Sequence, residues 1–174
     1  MSLALHYSNP GDLTSLDVDT ISAAKTSIHM AAYSLTESHV IAALCEASER
    51  GVQVAIYLDR SEVEAEARGN PNMPTSPLSL LLNRPNITTR VKASLILMHL
   101  KSYAIDTLTL RDGSANISPQ GETEQDNSLI LTDEPALVTA FLDKFAAMWN
   151  RPDNLTVAQA VTEANRRPSA PHQR

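Results

Sequence analysis

The chain has 174 residues, of which 43% are hydrophobic and 20% charged, and its formal net charge at pH 7 is −6. This length and apolar content are enough for one domain with its own core, without disulfides or a structural metal. No apolar run reaches the roughly 18 residues of a membrane-spanning helix, and the single cysteine, Cys45, is interpreted as a small buried hydrophobe.

Strand-like and helix-like patterns alternate along the chain, which is typical of an α/β domain. Strands are predicted over residues 3–7, 27–34, 52–59, 87–92 and 128–131, and on both sides of the polar motif described below. Helices are predicted from the turn at 9–12 to Lys25, from an N-cap at Thr36 to Arg50-Gly51, and over residues 77–82, 134–149 and 155–165.

Two segments lack the apolar periodicity of a helix or strand that packs on a core. Residues 61–76 combine Glu62, Glu64 and Glu66 with a stretch rich in Gly, Pro and Asn, which predicts a surface loop with a solvated acidic face. Residues 151–174 are interpreted as a polar C-terminal extension to the domain of residues 3–150, ending in a disordered tail of about eight residues.

A polar motif, His-x-Lys-x4-Asp followed by Gly-Ser-x-Asn, begins at His99. Its neighbours are apolar and β-prone, so His99 and Lys101 are predicted to share one face of a strand. Ser114 and Asn116 share a face of the following strand by the same spacing. An imidazole, an ammonium, a hydroxyl and an amide on adjoining strands predict a phosphate site that contains a nucleophile.

This pattern resembles the HKD motif of the phospholipase D superfamily, and the wider chain is similar to its single-motif branch, the bacterial Nuc-type endonucleases. Residues 23–36 are similar to that branch's first helix-to-strand passage, and residues 41–54 to its second helix and the strand after it. The resemblance covers roughly residues 3–149. It implies a single domain with a mixed β-sheet flanked by helices on both faces.

The resemblance also implies a role for each residue of the motif. His99 would attack phosphorus and form a phosphohistidine, which water then hydrolyses. Lys101 would bind the non-bridging oxygens as a point charge, with Ser114 and Asn116 donating hydrogen bonds. Asp106 belongs to the same catalytic motif, but its strand parity is opposite to that of His99, so it is interpreted as a structural or orienting carboxylate. No metal and no other cofactor is expected.

One position departs from the family's pattern. Nuc-type sequences commonly carry a glutamate some eleven residues after the motif asparagine, which orients the catalytic imidazole, and that position here is Asn127. Either the amide of Asn127 orients His99, or a nearby carboxylate such as Glu122, Glu124 or Asp126 substitutes after a small shift in register. This departure keeps open a degenerate, non-catalytic phosphate-binding module.

Other site chemistries have weaker support. The remaining histidines have no lysine two positions later and are interpreted as structural or solvated; they are His6, His29, His39 and His172. One cysteine and no closely spaced histidine pair argue against zinc. Ser114 has no nucleophile-elbow context, which argues against a Ser-His-Asp hydrolase.

The charge distribution bears on the substrate. A net charge of −6 weighs against a general nucleic-acid binder, which usually presents a basic stripe. Basic residues near the motif in sequence nevertheless allow a local positive groove. These residues are Arg84, Arg90, Lys92, Lys101 and Arg111.

The sequence therefore predicts a metal-independent phosphodiesterase that hydrolyses nucleic acid, DNA or RNA, as a non-specific endonuclease. The alternatives are a phospholipase D or phosphatidyl transferase with the same site, and the non-catalytic module. In-line displacement needs an acid opposite the attacking histidine, and the chain has one motif copy, so a homodimer with a shared active site is expected, as the resemblance also implies. No integral membrane association and no signal peptide are expected in this chain, and the resemblance favours an exported, periplasmic protein.

Overall fold

The predicted alternation of strands and helices is present in the computed structural model, which describes residues 2–69 and 77–166. The strands are β1 (Leu3–Tyr7), β2 (Ser27–Ala32), β3 (Gln53–Leu58), β4 (Ile87–Val91), β5 (Lys101–Ile105), β6 (Thr109–Gly113) and β7 (Ser128–Thr132). The helices are α1 (Leu13–Ser22), α2 (Ser38–Glu49), α3 (Arg60–Gly69), α4 (Pro135–Trp149) and α5 (Val157–Arg166). A 3-10 helix covers Pro77–Leu81, and a π-helical turn covers Gln120–Glu124.

The seven strands form one mixed sheet in the order β1-β7-β6-β5-β2-β3-β4. The β2-β3-β4 side is parallel, with α2 between β2 and β3 in the chain and α3 between β3 and β4. The remaining pairs are antiparallel, including the central contact between β2 and β5. This arrangement confirms the predicted mixed sheet.

Helices cover both faces of the sheet, as predicted. Side chains alternate along β2, so Ile28 and Met30 pack with α1, α2 and α5 in the larger core, while Ala31 packs under α4. A third, smaller cluster joins Leu13 of α1 to Leu129 of β7. No helix among the described residues is both long and apolar enough to cross a bilayer.

The prediction of a surface loop after β3 is wrong for residues 61–69, which belong to α3. The glutamates alternate in sequence, but Val63 and Ala67 are four residues apart and are buried. Glu64 is buried too, with ion pairs to Arg60 at 2.6 Å and Arg68 at 2.8 Å. Residues 70–76 of the predicted loop lie outside the described residues.

The start of α2 also differs from the prediction. The N-cap is Glu37 and not Thr36. The carboxylate of Glu37 accepts a hydrogen bond from the backbone N–H of His39 at 3.2 Å. The backbone N–H of Thr36 instead donates to Ile117 at 2.9 Å, which joins this loop to the segment after β6.

The C-terminal helix is present, and it packs on the rest of the fold. Val157 and Ala160 of α5 lie in the larger core, and Leu155 exchanges backbone hydrogen bonds with Val91 of β4. Arg60 of α3 reaches Glu163 of α5 at 2.5 Å. The described part of the extension is therefore integrated with the sheet, and the predicted disordered tail lies outside the described residues.

Candidate active site

The predicted phosphate-binding residues lie where two central strands begin or end. Lys101 is the first residue of β5, and His99 precedes that strand, whereas Ser114 and Asn116 follow the end of β6. Because β5 and β6 are antiparallel neighbours, the start of one and the end of the other meet at the same edge of the sheet. The prediction that these residues lie on strands is wrong for all but Lys101.

One side-chain and one backbone hydrogen bond hold the segment before β5. The backbone N–H of Met98 donates to the buried carboxylate of Asp59 at 2.6 Å, directly after β3. The N–H of Tyr33, after β2, donates to the carbonyl of Leu100 at 2.8 Å. His99 is thereby presented at the ends of β2 and β3.

The imidazole of His99 is exposed and rests on one aromatic ring. Its ring centroid is 4.6 Å from that of Tyr33, with the planes tilted by 60°. Among the described residues, neither ring nitrogen has a protein hydrogen bond. An imidazole in this state is free to act as a nucleophile or as a proton donor.

Lys101 is buried beside this histidine, with only 5% of its surface exposed. Its Nζ donates to the carbonyl of His99 at 2.8 Å and lies 4.9 Å from the centroid of the Tyr33 ring. Burial lowers the pKa of Lys101, and the positive charge of Arg111 lowers it further, whereas Glu62 acts in the opposite direction.

Ser114 and Asn116 lie on a turn that needs glycine on both sides. Gly113 has a φ of +152°, and a Cβ there would lie 2.2 Å from the carbonyl oxygen of Ser128 on β7. A Cβ on Gly121 would lie 2.4 Å from the carbonyl oxygen of Asn116. The side-chain Oδ1 of Asn116 is buried and has no hydrogen-bond partner among the described residues.

Asp106 lies at the other end of β5 from Lys101, so it does not reach the predicted phosphate. Its carboxylate accepts hydrogen bonds from the backbone N–H groups of Lys25, Thr26 and Ser27 at 2.9, 2.7 and 2.9 Å. Burial opposes ionisation, but these donors hold the pKa of Asp106 below its ordinary value. These contacts agree with the interpretation of Asp106 as a structural carboxylate, and its role in catalysis stays a prediction.

None of the candidate orienting residues forms a hydrogen bond with His99 within the described chain. The amide of Asn127 accepts from Ser114 Oγ at 3.1 Å and donates to the carbonyl of Gly121 at 2.9 Å. Asp126 is exposed, 3.5 Å from the amide of Asn9. The structure therefore gives Asn127 a different task, which is to join Ser114 to the π-helical turn.

Glu122 lies on that turn and is fully buried, with neither carboxyl oxygen hydrogen-bonded among the described residues. Burial, together with the nearby negative charge of Asp17, raises the pKa of Glu122 to about 9. A buried carboxyl without donors is far more stable when it is protonated. Glu122 therefore carries a proton at neutral pH.

The predicted groove of five basic residues does not form in the described chain. Arg84 pairs with Glu49 at 2.5 Å, and Arg90 stacks over the Trp149 ring, 4.7 Å from its centroid. Arg111 is 0% exposed. The remaining member besides Lys101 is Lys92, whose Nζ donates to the backbone carbonyls of Ile96 and Leu97.

Sequence reasoning missed Tyr33 and treated Arg111 only as a groove cation. Tyr33 follows β2, far from the motif in sequence, and only the pairing of β2 with β5 brings it against His99 and Lys101. An aromatic residue at the end of a central strand was the available signal. Nothing in the local sequence of Arg111 indicated that it is buried.

The structure thus places a histidine beside a buried lysine, with serine and asparagine at the same edge of the mixed sheet of an α/β domain, which is the arrangement predicted for an HKD motif. Residues 18–149 match the family described as cardiolipin synthase, PLD-like domain. The chain therefore belongs to this family of the phospholipase D superfamily, as the resemblance predicted. No group of three or more His, Cys, Asp or Glu side chains in the described ranges is placed to hold a metal ion.

Two sequence relatives and two solved structures illustrate the family. The chain is 28% identical over 140 residues to a phospholipase D of Rickettsia bellii, covering 80% of this chain and 65% of that protein. It is 27% identical over 131 residues to the mitochondrial cardiolipin hydrolase of Danio rerio, covering 75% of this chain and 54% of that protein. The chain thus spans less than two thirds of the length of these relatives.

The crystal structure of Nuc, a phospholipase D family member from Salmonella typhimurium, superposes with a TM-score of 0.73 and 29% identity. The match covers 88% of this chain and 96% of that one. NucT from Helicobacter pylori superposes with a TM-score of 0.72 at 21% identity, over 88% of this chain and 99% of that one, which supports the fold alone. Both similarities agree with the mixed sheet and its flanking helices.

Proposed function

We propose that the protein is a phosphodiesterase that cleaves nucleic-acid phosphodiester bonds through a phosphohistidine formed on His99. The observation that carries this proposal is an exposed imidazole with free nitrogens directly beside a buried lysine, Lys101. The first supplies a nucleophile and the second supplies positive charge for the phosphoryl oxygens. Similarity to Nuc over nearly all of that chain supports nucleic acid as the substrate class.

In the first step, a ring nitrogen of His99 forms a bond to phosphorus while the bond to the leaving oxygen breaks. The leaving oxygen takes a proton from an acid on the opposite side of phosphorus. In the second step, water attacks phosphorus, the phosphorus–nitrogen bond breaks, and the water proton returns to that acid. Lys101 binds the non-bridging oxygens throughout, and Asn116 donates a hydrogen bond to them. Ser114 donates to them as well once its hydroxyl, which donates to Asn127 in the free protein, turns toward the phosphate.

The acid on the opposite side is His99 of a second subunit. The described chain has no other histidine next to a buried lysine, so two-fold symmetry provides the missing half of the site. An apolar loop directly before His99 supports this arrangement. Leu95, Ile96 and Leu97 are exposed by 63%, 78% and 50%, which is unusual beside a catalytic centre unless another surface covers them.

The test is turnover of plasmid DNA, RNA and bis-p-nitrophenyl phosphate by wild type, His99→Ala and the matched control His39→Ala. The side chain of His39 is 77% exposed on α2 and its hydrogen bonds are to Glu37, not to a motif residue, so this control should keep full activity. We expect wild type to cleave DNA and His99→Ala to lose cleavage while keeping its thermal transition. An equally active His99→Ala protein would overturn the proposed chemistry.

Subunit mixing tests the shared site. Excess His99→Ala chains, mixed with wild type and allowed to exchange, should lower the activity per wild-type chain, because each heterodimer holds one imidazole. Dilution toward nanomolar concentration should lower specific activity as dimers dissociate. A monomer that is fully active at that dilution contradicts the dimer.

A second candidate is cleavage of a phospholipid at the same site. The apolar loop Leu95–Leu97 favours it, because three exposed aliphatic side chains next to His99 can contact acyl chains at a lipid surface. Two further observations agree with a phospholipid substrate. The described chain has no basic groove, and the relatives in sequence are named phospholipase D and cardiolipin hydrolase. Vesicles of phosphatidylcholine and of cardiolipin, assayed beside DNA, separate the two candidates. Phosphate binding without turnover of any substrate indicates the non-catalytic module.

A further inference from the structure

We propose that Arg111 is a positioning residue, which fixes Lys101 and the turn after β6 relative to each other and adds positive charge beneath the phosphate site. This inference rests on the proposed phosphodiesterase function, and it concerns a residue that does not itself reach the substrate. Arg111 lies on β6, two residues before Gly113, and is 0% exposed.

One guanidinium nitrogen of Arg111 joins the two segments that carry the site. Its Nη1 donates to the carbonyl of Lys101 at 2.5 Å and to the carbonyl of Ala115 at 3.1 Å. Ala115 stands between the two predicted phosphate donors, Ser114 and Asn116. A change in the position of this nitrogen therefore moves the backbone under both the cation and the donors.

The other guanidinium nitrogens are held from α1. Nε and Nη2 of Arg111 donate to the two carboxylate oxygens of Asp17 at 3.1 and 2.9 Å. The hydroxyl of Tyr103 donates to Asp17 at 2.6 Å. This two-point grip fixes the direction of the guanidinium plane, which a lysine at the same position would not do.

A purely structural role does not require this arrangement. Removing two charges from water is costly, and apolar residues of similar volume often replace a buried ion pair with no loss of stability. The Asp17–Arg111 pair is 0% exposed on both sides, so its desolvation cost is large. A positioning role in the phosphate site explains why a buried arginine stands here, because Arg111 donates directly to the backbone carbonyl of Lys101.

Electrostatics provide a readout that packing alone would not change. After burial, the charge of Arg111 is the larger of the two nearby charges that act on the pKa of Lys101, and it lowers that pKa. Glu62 of α3 raises it, and the ring of Tyr33 and the imidazole of His99 are the other groups beside Lys101. Removing the guanidinium should raise the pKa of Lys101.

The groups that face Arg111 determine how the variants are built. Asp17 would be left buried and unpaired in Arg111→Met, so the decisive variant is Asp17→Asn/Arg111→Met, which removes both charges. The pKa of Glu122 is about 9 and this carboxyl lies beside the pair, so every protein in the series also carries Glu122→Gln, and the Glu122→Gln protein is the wild-type reference of the series. Tyr103 keeps its proton throughout, because burial raises its pKa well above the ordinary value.

The matched control is Arg90→Met. Like Arg111, Arg90 donates to a backbone carbonyl, that of Trp149, but it is only partly buried and lies on β4 under α4. Arg111→Lys is the conservative variant, because it keeps the charge and loses the two-point grip on Asp17. Folding of each variant is checked by circular dichroism and its thermal transition.

The first measurement is the titration of Lys101, followed by NMR on protein with isotope-labelled lysine. The chain has four lysines, and Lys101→Arg identifies the signal. The second is kcat and KM for bis-p-nitrophenyl phosphate, together with the Kd for inorganic phosphate. We expect a higher Lys101 pKa in the double variant and a kcat about 10- to 100-fold lower. Arg111→Lys should keep the Lys101 titration near wild type while recovering part of kcat, and Arg90→Met should change neither.

The outcomes separate this inference from the proposed function. If wild type does not turn over any diester, the proposed function fails, and the lysine titration and phosphate Kd still decide the role of Arg111. The positioning role of Arg111 is overturned if the double variant folds and both its Lys101 titration and its Kd for phosphate are unchanged. Equal losses in Arg90→Met overturn it as well. If the double variant does not fold, an Arg111→Lys protein with wild-type kcat and phosphate Kd overturns the positioning role.

Discussion

Replacing Glu122 by glutamine should stabilise the protein, and the gain should grow with pH. Glu122 is fully buried, neither carboxyl oxygen has a hydrogen-bond partner among the described residues, and Asp17 lies beside it. Burial and that neighbouring charge raise the pKa of Glu122 from 4.5 to about 9. The folded protein therefore holds a proton that the unfolded chain releases near pH 4.5.

The sign follows from proton binding. Between about pH 4.5 and 9 the native state binds one more proton than the unfolded state, so the free energy of unfolding falls as pH rises. A difference of one bound proton changes the free energy of unfolding by about 1.4 kcal/mol per pH unit. Between pH 4.5 and pH 7, burial of Glu122 therefore lowers the free energy of unfolding by about 3 kcal/mol. Glutamine cannot ionise. The stability difference between Glu122→Gln and wild type should therefore widen by about 3 kcal/mol between pH 6 and pH 8.

Urea unfolding, followed by circular dichroism at pH 5, 6, 7 and 8, measures this difference directly. Glu124→Gln is the matched control, because Glu124 ends the same turn but is exposed. Its curve should run parallel to that of wild type. Parallel curves for Glu122→Gln and wild type would show that Glu122 is ionised in the folded protein, and the reasoning would be refuted.

Four further outcomes are expected. Cleavage should survive EDTA, because a lysine ammonium occupies the place of a cation at the phosphate; loss of activity that magnesium or zinc restores would contradict this. His99→Ala should lower kcat by more than about 10³-fold in a single-turnover or steady-state assay, with an unchanged thermal transition. Asn127→Asp should keep the acceptor for the serine hydroxyl but lose the donor to the Gly121 carbonyl, which costs about 1 to 3 kcal/mol in urea unfolding. Glu64→Gln should cost about 3 kcal/mol, because it removes the buried carboxylate that pairs with Arg60 and leaves only the 43% exposed Glu163 to pair with that arginine, whereas Glu62→Gln should be nearly neutral by the same measurement.

The alternation of strands and helices, most of their bounds and the identity of the motif could be predicted from the sequence. These features depend on neighbours within one element. Hydrophobic periodicity indicates a strand or a helix locally, and Gly51, with a φ of +93°, ends α2 where the sequence places it. Family membership was also accessible, because the motif residues carry the chemistry and their spacing is preserved. Asp106 could be interpreted as structural from strand parity alone.

The tertiary structure decided which charged side chains are buried and what they contact. Glu64 was predicted to be solvated, but it is buried because Arg60 and Arg68 pair with it on one face of α3. Arg111 was interpreted as a groove cation, yet its partner Asp17 is 94 residues away in the chain, and only the packing of α1 against the sheet brings them together. The cost of burying a charge depends on these distant partners. Local sequence therefore indicates where a charge is placed, and only the folded chain determines whether it meets substrate, solvent or another charge.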